Sequence, residues 1–382
     1  MRVFVIAGEP SGDRLGRAVM AGLRQLSPEV SFDGIGGPGM AGEGLRSLFP
    51  MEELSVMGIA EVLPRYRQLM RRLDETARAV IETRPDILLT IDSPDFCLRV
   101  ARRVKAAGAP VRCVHYVAPS VWAWRPGRAA KMARSIDQVL ALLPFEPPYM
   151  EAAGMECDFV GHPVVTDPQA DDSEARAFRE QHGIGDAPLL LALPGSRRGE
   201  VQRLSETFGA ALARVQAALP EARVVLPCAA PVVDLVRAET RHWSVAPLLI
   251  DPAQDPHGAE KRAAFRAADV ALAASGTVSL ELAAADTPMV VAYDMGWVSR
   301  VIIGRMLLTD TVTLVNLVSE TRSVPEYIGK DCSPEPIGRA LLRVLERPEA
   351  QRAALHETMK RLGAGGEAPG LRAARSILDR AR

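Results

Sequence analysis

Paired cysteines are missing from this 382-residue sequence. Cys97, Cys113, Cys157, Cys228 and Cys332 are scattered, odd in number and without CxxC spacing, which argues against a disulfide framework or a zinc site and for a reducing compartment. Long apolar runs are missing too. No stretch approaches the roughly 18 apolar residues of a membrane span, and the apolar part of MRVFVIAGEP is too short for a signal peptide. An excess of one charge is also absent. With 46 basic and 47 acidic residues the formal net charge is −1, which removes an overall electrostatic grip on nucleic acid. The expected location is the cytoplasm, and contact with a membrane surface from that side is a separate question.

What is present is globular: 48% apolar and 24% charged residues. The chain is long for one hydrophobic core, so two domains are expected. Apolar runs of strand length at Val3–Ala7, Ile87–Ile91, Val111–Val117, Val139–Leu143, Leu189–Leu193, Arg223–Leu226, Leu248–Ile250, Val270–Ala273 and Met289–Ala292 alternate with helical stretches. That alternation predicts an α/β fold: two doubly wound, parallel-sheet, Rossmann-like domains facing a cleft. Between roughly Pro163 and Ala187 the pattern lapses into acidic, proline-rich and small residues, which places the boundary between a domain 1–165 and a domain 166–382. The helical tail from Pro334 onward is expected to pack back or onto a partner chain.

Four stretches attract chemistry. The first, Leu189–Arg203, reads as strand, Pro194-Gly195 turn and charged helix start. Unpaired peptide N–H groups and the guanidinium groups of Arg197 and Arg198 beside Ser196 suit a diphosphate, or form an ordinary loop with solvated arginines. In the second, Ser275-Gly276-Thr277 makes a polar turn before a helix carrying Glu281. The turn suits a phosphate and the carboxylate suits a ribose diol; the plainer reading makes them caps and a first-turn acid. The third, DILLTI-DSPD, sets Asp92 and Asp95 just past a strand end, where ligand crevices of parallel sheets lie. Asp92 suits a general base, and both aspartates also suit helix caps. In the fourth, VWAWRPGR, two tryptophans around Ala123, with Trp124 followed by Arg125, suit a sugar or lipid acceptor bearing negative charge. His115 reads as a core residue of its strand.

The first glycine loop, GEPSGD, is not GxGxxG and its second strand leads into FDGIGGPGM, which argues against a nicotinamide dinucleotide. Ser11 and Asp13 are available there as caps. From Met51 to Arg72, Val56, Met57, Ile59, Val62, Leu63, Tyr66, Leu69 and Met70 are interleaved with and followed by Arg65, Arg67, Arg71 and Arg72. An apolar face rimmed by arginines is expected either to lie in a bilayer interface or to pack on its own domain, with Pro64 splitting it into two short helices.

GEPSGD, EELSVMGIAEVLP, IDSPDF, HYVAPSVWAWRPGR, LPFE, FVGHP, LPGSRRGEV, ASGTVSLE and VNLV, in that order across almost the whole chain, resemble the lipid-A-disaccharide synthase family. The resemblance implies an inverting glycosyltransferase of GT-B architecture needing no metal and no cofactor. It implies transfer of 2,3-diacylglucosamine from its UDP-linked form to the 6-hydroxyl of 2,3-diacylglucosamine 1-phosphate, giving a β-1,6 disaccharide 1-phosphate and UDP. By this likeness Asp92 is the base; Ser196, Arg197 and the Ser275–Gly276–Thr277 turn hold the diphosphate; Glu281 and Asn316 hold the nucleoside. Ser11 and Asp13 face the acceptor or the transferred sugar. The Val56–Met70 segment matches the family's membrane-docking surface, so the expected place is the cytoplasmic face of the inner membrane. The likeness also allows a homodimer with exchanged C-terminal helices. Arg198 and Gly199 depart from the family's small or acidic loop residues. Two other functions remain open at this point: an isomerase like UDP-N-acetylglucosamine 2-epimerase, and a non-catalytic nucleotide-sugar-binding membrane scaffold.

Overall fold

A computed structural model describes residues 1–54, 59–123, 125–295 and 309–381, and the side chains of these except 59–64. The chain forms two compact units, Met1–Thr166 with Gly365–Arg382, and Asp167–Ala364. Each is built on a six-stranded, wholly parallel sheet.

In the first unit the strands are β1 (Arg2–Ala7), β2 (Ser31–Ile35), β3 (Ile87–Ile91), β4 (Arg112–Tyr116), β5 (Gln138–Ala141) and β6 (Glu156–Phe159), in the order β2-β1-β3-β4-β5-β6. Helices cover both faces of such a sheet, so its central strands are mostly apolar; every residue of β3 is buried. Gly34 shows how tightly β2 lies on β1. Its φ is +146°, and a Cβ there would sit 1.8 Å from the carbonyl oxygen of Val5, so only glycine fits.

The helix Pro369–Arg380 packs on α1 (Pro10–Leu26) within the first unit. The physical reason is an apolar face, Ala373, Ala374 and Ile377, buried completely in the first core. The two helices touch where both carry glycine: a methyl on Gly22 would lie 2.9 Å from the carbonyl oxygen of Gly370.

α3 runs unbroken from Ile59 to Thr83, so Pro64 does not split it. Pro64 falls in the second turn, where its missing N–H removes a single intrahelical bond. Of the apolar residues expected at a membrane, Val56 and Met57 lie outside the described residues, while Ile59, Val62 and Leu63 belong to the start of α3. Tyr66 is 52% exposed, Leu69 is half-buried, and Met70 packs partly against the first core. Arg65, Arg67 and Arg71 are exposed, but Arg72 is engaged by Glu53 at 2.8 Å and Glu75 at 2.7 Å and lies over the Phe49 ring. That network holds the Glu53 carboxyl well below the usual range through the Arg72 hydrogen bond, and it removes Arg72 from the exposed rim.

The second unit has strands β7 (Leu189–Leu193), β8 (Arg223–Pro227), β9 (Leu248–Ile250), β10 (Val270–Ala273), β11 (Met289–Tyr293) and β12 (Glu326–Ile328), ordered β12-β11-β10-β7-β8-β9. Asn316, expected in a strand-like run, lies instead in the short helix Leu314–Ser319 and is 1% exposed. Its amide is fully engaged: Nδ2 donates to the Val324 carbonyl at 2.9 Å, and Oδ1 accepts from the Val324 N–H at 3.0 Å. These bonds tie the helix to the chain entering β12.

Candidate functional site

In a doubly wound sheet the ligand crevice opens at the carboxyl ends of the strands, where the connections reverse direction. In the first sheet that point lies between β1 and β3, paired through Ala7 and Ile91. The loops leaving both strands meet there: a methyl on Gly8 would lie 2.6 Å from Ser93 Oγ. Asp92 and Ser93 adopt φ of +50° and +42°, Val117 at the end of β4 has +85° and Arg125 has +51°. Four of the seven described non-glycine residues with positive φ thus lie at this one edge. Each such backbone costs about 1 kcal/mol or more and persists where the surroundings impose it, as functional sites do. The Asp92 N–H donates to the Tyr116 carbonyl at 3.0 Å, and its side chain is half-buried.

Neither aspartate of this loop caps α4 (Pro94–Ala106). Its N-cap is Ser93, without a side-chain cap bond, and Asp95 is an exposed first-turn acid. The caps expected in GEPSGD are likewise absent, because α1 begins at Pro10 with Glu9 as N-cap. Ser11 is exposed on that first turn. Asp13, expected to cap or to face the sugar, is 8% exposed and turned inward. Its Oδ1 accepts from the N–H groups of Gly37 (2.8 Å) and Met40 (3.0 Å) and its Oδ2 from Gly39 (2.8 Å). That carboxylate is an internal anchor for the glycine-rich turn after β2. Trp124 lies outside the described residues, and Trp122 packs edge-on to Phe145 at 5.2 Å. His115 is a core residue: Nδ1 lies 2.8 Å from Thr90 Oγ1, and burial pushes its pKa down to about 4.

Glu146, which sequence reasoning passed over, is 4% exposed beyond the end of β5 and accepts the Leu143 N–H at 3.0 Å. Burial lifts its pKa from the ordinary 4.5 to about 7. Between those values the folded protein holds a proton that the unfolded chain has released, so this group makes stability fall as pH rises from 4.5 to 7 and level off above. Glu146→Gln lacks that dependence. Relative to the parent, the variant should gain up to about 3 kcal/mol of stability between pH 4.5 and 7. Urea unfolding of both proteins at pH 5 and pH 7.5 measures this, and an equal difference at the two values would show that Glu146 does not titrate with burial.

In the second sheet the reversal lies between β7 and β10, paired through Leu193 and Ala273. A cavity of about 430 Å³ opens there. Ser196, Arg197, Ser275, Gly276, Thr277 and Glu281 all line it; Asn316 and Arg198 do not. Arg198 is the exposed first residue of α8 (Arg198–Ala218). The Ser275–Thr277 hydroxyls are not consumed as caps, since α11 (Val278–Ala284) has no side-chain cap bond, and Gly276 turns the chain at φ +148°.

Glu200, Lys261 and Phe265 also line this cavity. Glu200 accepts the N–H groups of Ser196 (3.1 Å) and Arg197 (3.3 Å), and Arg197 Nη1 reaches it at 3.1 Å. Gly195 makes room for this at φ +116°, where a Cβ would lie 2.5 Å from Glu200 Oε2. The two N–H groups just before α8, those of Ser196 and Arg197, are therefore already occupied by the chain's own carboxylate, whereas the Arg197 side chain stays 67% exposed. Glu200 stands at the third helical position, from which a glutamate reaches back to the N-cap N–H, but the Ser or Thr that signals a full capping box is replaced by Arg197, which has no acceptor. Lys261 and Phe265 come from α10 (Ala259–Ala267) and carried no local signal.

The model of the lipid-A-disaccharide synthetase family matches residues 3–372. Lipid-A-disaccharide synthase of Ruegeria pomeroyi is 63% identical over 383 residues, spanning 100% of this chain and 95% of its own length. The chain belongs to the lipid-A-disaccharide synthase family. The synthase of Rhodospirillum centenum is 47% identical, with 99% and 94% covered. Members of this family are glycosyltransferases of lipid A biosynthesis, joining a diacylglucosamine from a UDP-linked donor to an acylated glucosamine 1-phosphate. Among solved structures, UDP-GlcNAc 2-epimerase of Methanocaldococcus jannaschii in complex with UDP-GlcNAc and UDP aligns at TM-score 0.64 and 13% identity, covering 99% of this chain and 100% of its own. The epimerase of Neisseria meningitidis bound to UDP-GlcNAc gives 0.62 at 13%, covering 100% and 99%. At that identity the likeness is of fold: two Rossmann-like domains of GT-B type. Membership in the synthase family sets the isomerase reading aside. Among the described residues no helix is long and apolar enough to cross a membrane.

Proposed function

We propose that the second unit holds the UDP part of the donor in the cavity between β7 and β10, and that Asp92 in the first unit deprotonates the acceptor's 6-hydroxyl. The observation that supports the UDP part is the convergence of two separately read stretches, Ser196–Arg197 and Ser275–Glu281, on one cavity at the carboxyl edge of a parallel sheet. Inversion at the anomeric carbon needs a single displacement. The acceptor oxygen bonds to carbon as the bond to UDP breaks, the hydroxyl proton passes to Asp92, and the electron pair leaves on the diphosphate. Arg197, with the hydroxyls and N–H groups of Ser275–Thr277, stabilises that departing charge. Because Glu200 already takes the N–H groups of Ser196 and Arg197, phosphate oxygens are met by the exposed Arg197 guanidinium, which it shares with Glu200, and by the Ser275–Thr277 turn. Glu281 accepts the ribose hydroxyls. Asn316 acts only by holding the β12 end of the domain, since its amide is spent internally.

The acyl chains of both substrates are costly to place in water, which favours an enzyme that works at the lipid surface. The exposed stretch of α3, with Arg65, Tyr66, Arg67 and Arg71, has the chemistry to rest on an anionic cytoplasmic leaflet. The experiment presents both lipid precursors on anionic vesicles and detects the disaccharide and UDP by mass. The variant Arg65→Glu/Tyr66→Ser/Arg67→Glu is expected to stay in the supernatant when vesicles are sedimented and to lose most product there, yet to match the parent in detergent micelles. Unaltered sedimentation would assign this face to the protein's own packing.

A further inference from the structure

The geometry points to Lys261 as a positioning residue that pre-sets Glu281 for a vicinal diol and so gives the nucleoside pocket its preference for ribose. This rests on the reading of Glu281 as the ribose acceptor and adds a residue to it. Lys261 comes from α10 and Glu281 from α11, separate helices brought to one wall of the cavity. Lys261 Nζ donates to Glu281 Oε2 at 2.6 Å and lies 5.1 Å from the centroid of the Phe265 ring, which lines the same cavity.

A lone glutamate on a short helix samples many rotamers, and a ligand that needs one of them must bear the cost of selecting it. Lys261 makes that selection beforehand. One ammonium on Oε2 leaves lone pairs on both carboxylate oxygens, the number that the 2′- and 3′-hydroxyls of a ribose require. A ligand lacking one hydroxyl leaves part of this acceptor unmet, whereas a carboxylate free to swing away would notice the loss less. As an ion pair the contact contributes little to folding, because the two side chains are 43% and 41% exposed. Replacing Lys261 therefore alters binding without threatening the fold.

The test titrates UDP and 2′-deoxy-UDP into the full-length protein and its Lys261→Met, Lys261→Arg and Glu281→Gln variants. The parent is expected to bind 2′-deoxy-UDP about tenfold more weakly than UDP, the value of one hydrogen bond to a charged group. In Lys261→Met, UDP binding weakens about three- to fivefold while 2′-deoxy-UDP binding hardly moves, so the preference shrinks toward twofold. Lys261→Arg restores most of it. If Lys261→Met weakens both ligands by the same factor, the lysine is a plain cation for the nucleotide, and if neither changes it is a bystander; both results overturn the proposal. If Glu281→Gln keeps the full preference for ribose, the Glu281 reading itself fails and this proposal falls with it.

Discussion

Asp92→Asn is expected to lower kcat by about 10²–10⁴-fold, while UDP affinity stays within about twofold of the parent. The carboxamide has the carboxylate's shape but cannot take up the acceptor's proton, so only the step in which the hydroxyl attacks is affected. The fold should tolerate the change. Asp92 holds φ at +50°, a left-handed conformation that asparagine adopts as readily as aspartate, and its structural hydrogen bond to Tyr116 comes from the backbone. Alanine is the poorer probe, because it would add backbone strain to the chemical loss. Asp95→Asn is the internal comparison: exposed in the first turn of α4 and no cap, it should stay within a few-fold of the parent. Turnover with both precursors and calorimetric titration with UDP read the two quantities separately. An Asp92→Asn enzyme with undiminished kcat would remove this residue from proton transfer.

Much of this site was legible because of where parallel sheets keep their chemistry. β3, β7, β9 and β10 coincide end to end with apolar runs in the sequence, since strands of such a sheet admit few polar residues. Once those strands are placed, the polar turns after β3, β7 and β10 must gather at one edge of their sheet, and Asp92, Arg197 and Ser275–Thr277 follow. β6 and β12 were missed for the complementary reason. They are edge strands, ECDF and EYI, half-exposed and without an apolar run.

Three other residues have their deciding contacts far along the chain. Asp13 stands in a glycine loop as a ligand-binding aspartate would, but the N–H groups it serves come from residues 24 to 27 positions on. Asn316 stands among valines and leucines as a strand residue would, but its partner is the backbone of Val324. Lys261 reaches Glu281 across 20 residues. In each case the deciding contact is tertiary, and no local pattern announces it. A short polar phrase can therefore mark an internal brace as easily as a binding group, and the hydrogen-bond partners separate the two.

The same distinction makes Arg197 the sharper target in the arginine loop. Arg197→Met should reduce kcat/KM by about 10²–10³-fold, the usual loss when a preorganised donor to developing charge is removed. Charge on the diphosphate grows as the glycosidic bond breaks, so kcat itself must fall along with kcat/KM. UDP, which carries that charge as product, should bind more weakly, while uridine, which has no phosphate, should bind as before. Arg197→Lys is expected to recover only part of the loss, because an ammonium cannot present the guanidinium's planar pair of donors. Arg198→Met supplies the contrast, since its side chain is exposed on α8 and does not line the cavity; it should alter turnover by less than about threefold, as solvated surface charges do. The loop should survive both changes: Glu200 still receives the N–H groups of Ser196 and Arg197, which belong to the backbone. If Arg197→Met weakens UDP and uridine equally, the arginine shapes the pocket and does not answer to phosphate, and the leaving group must then depend on the Ser275–Thr277 turn.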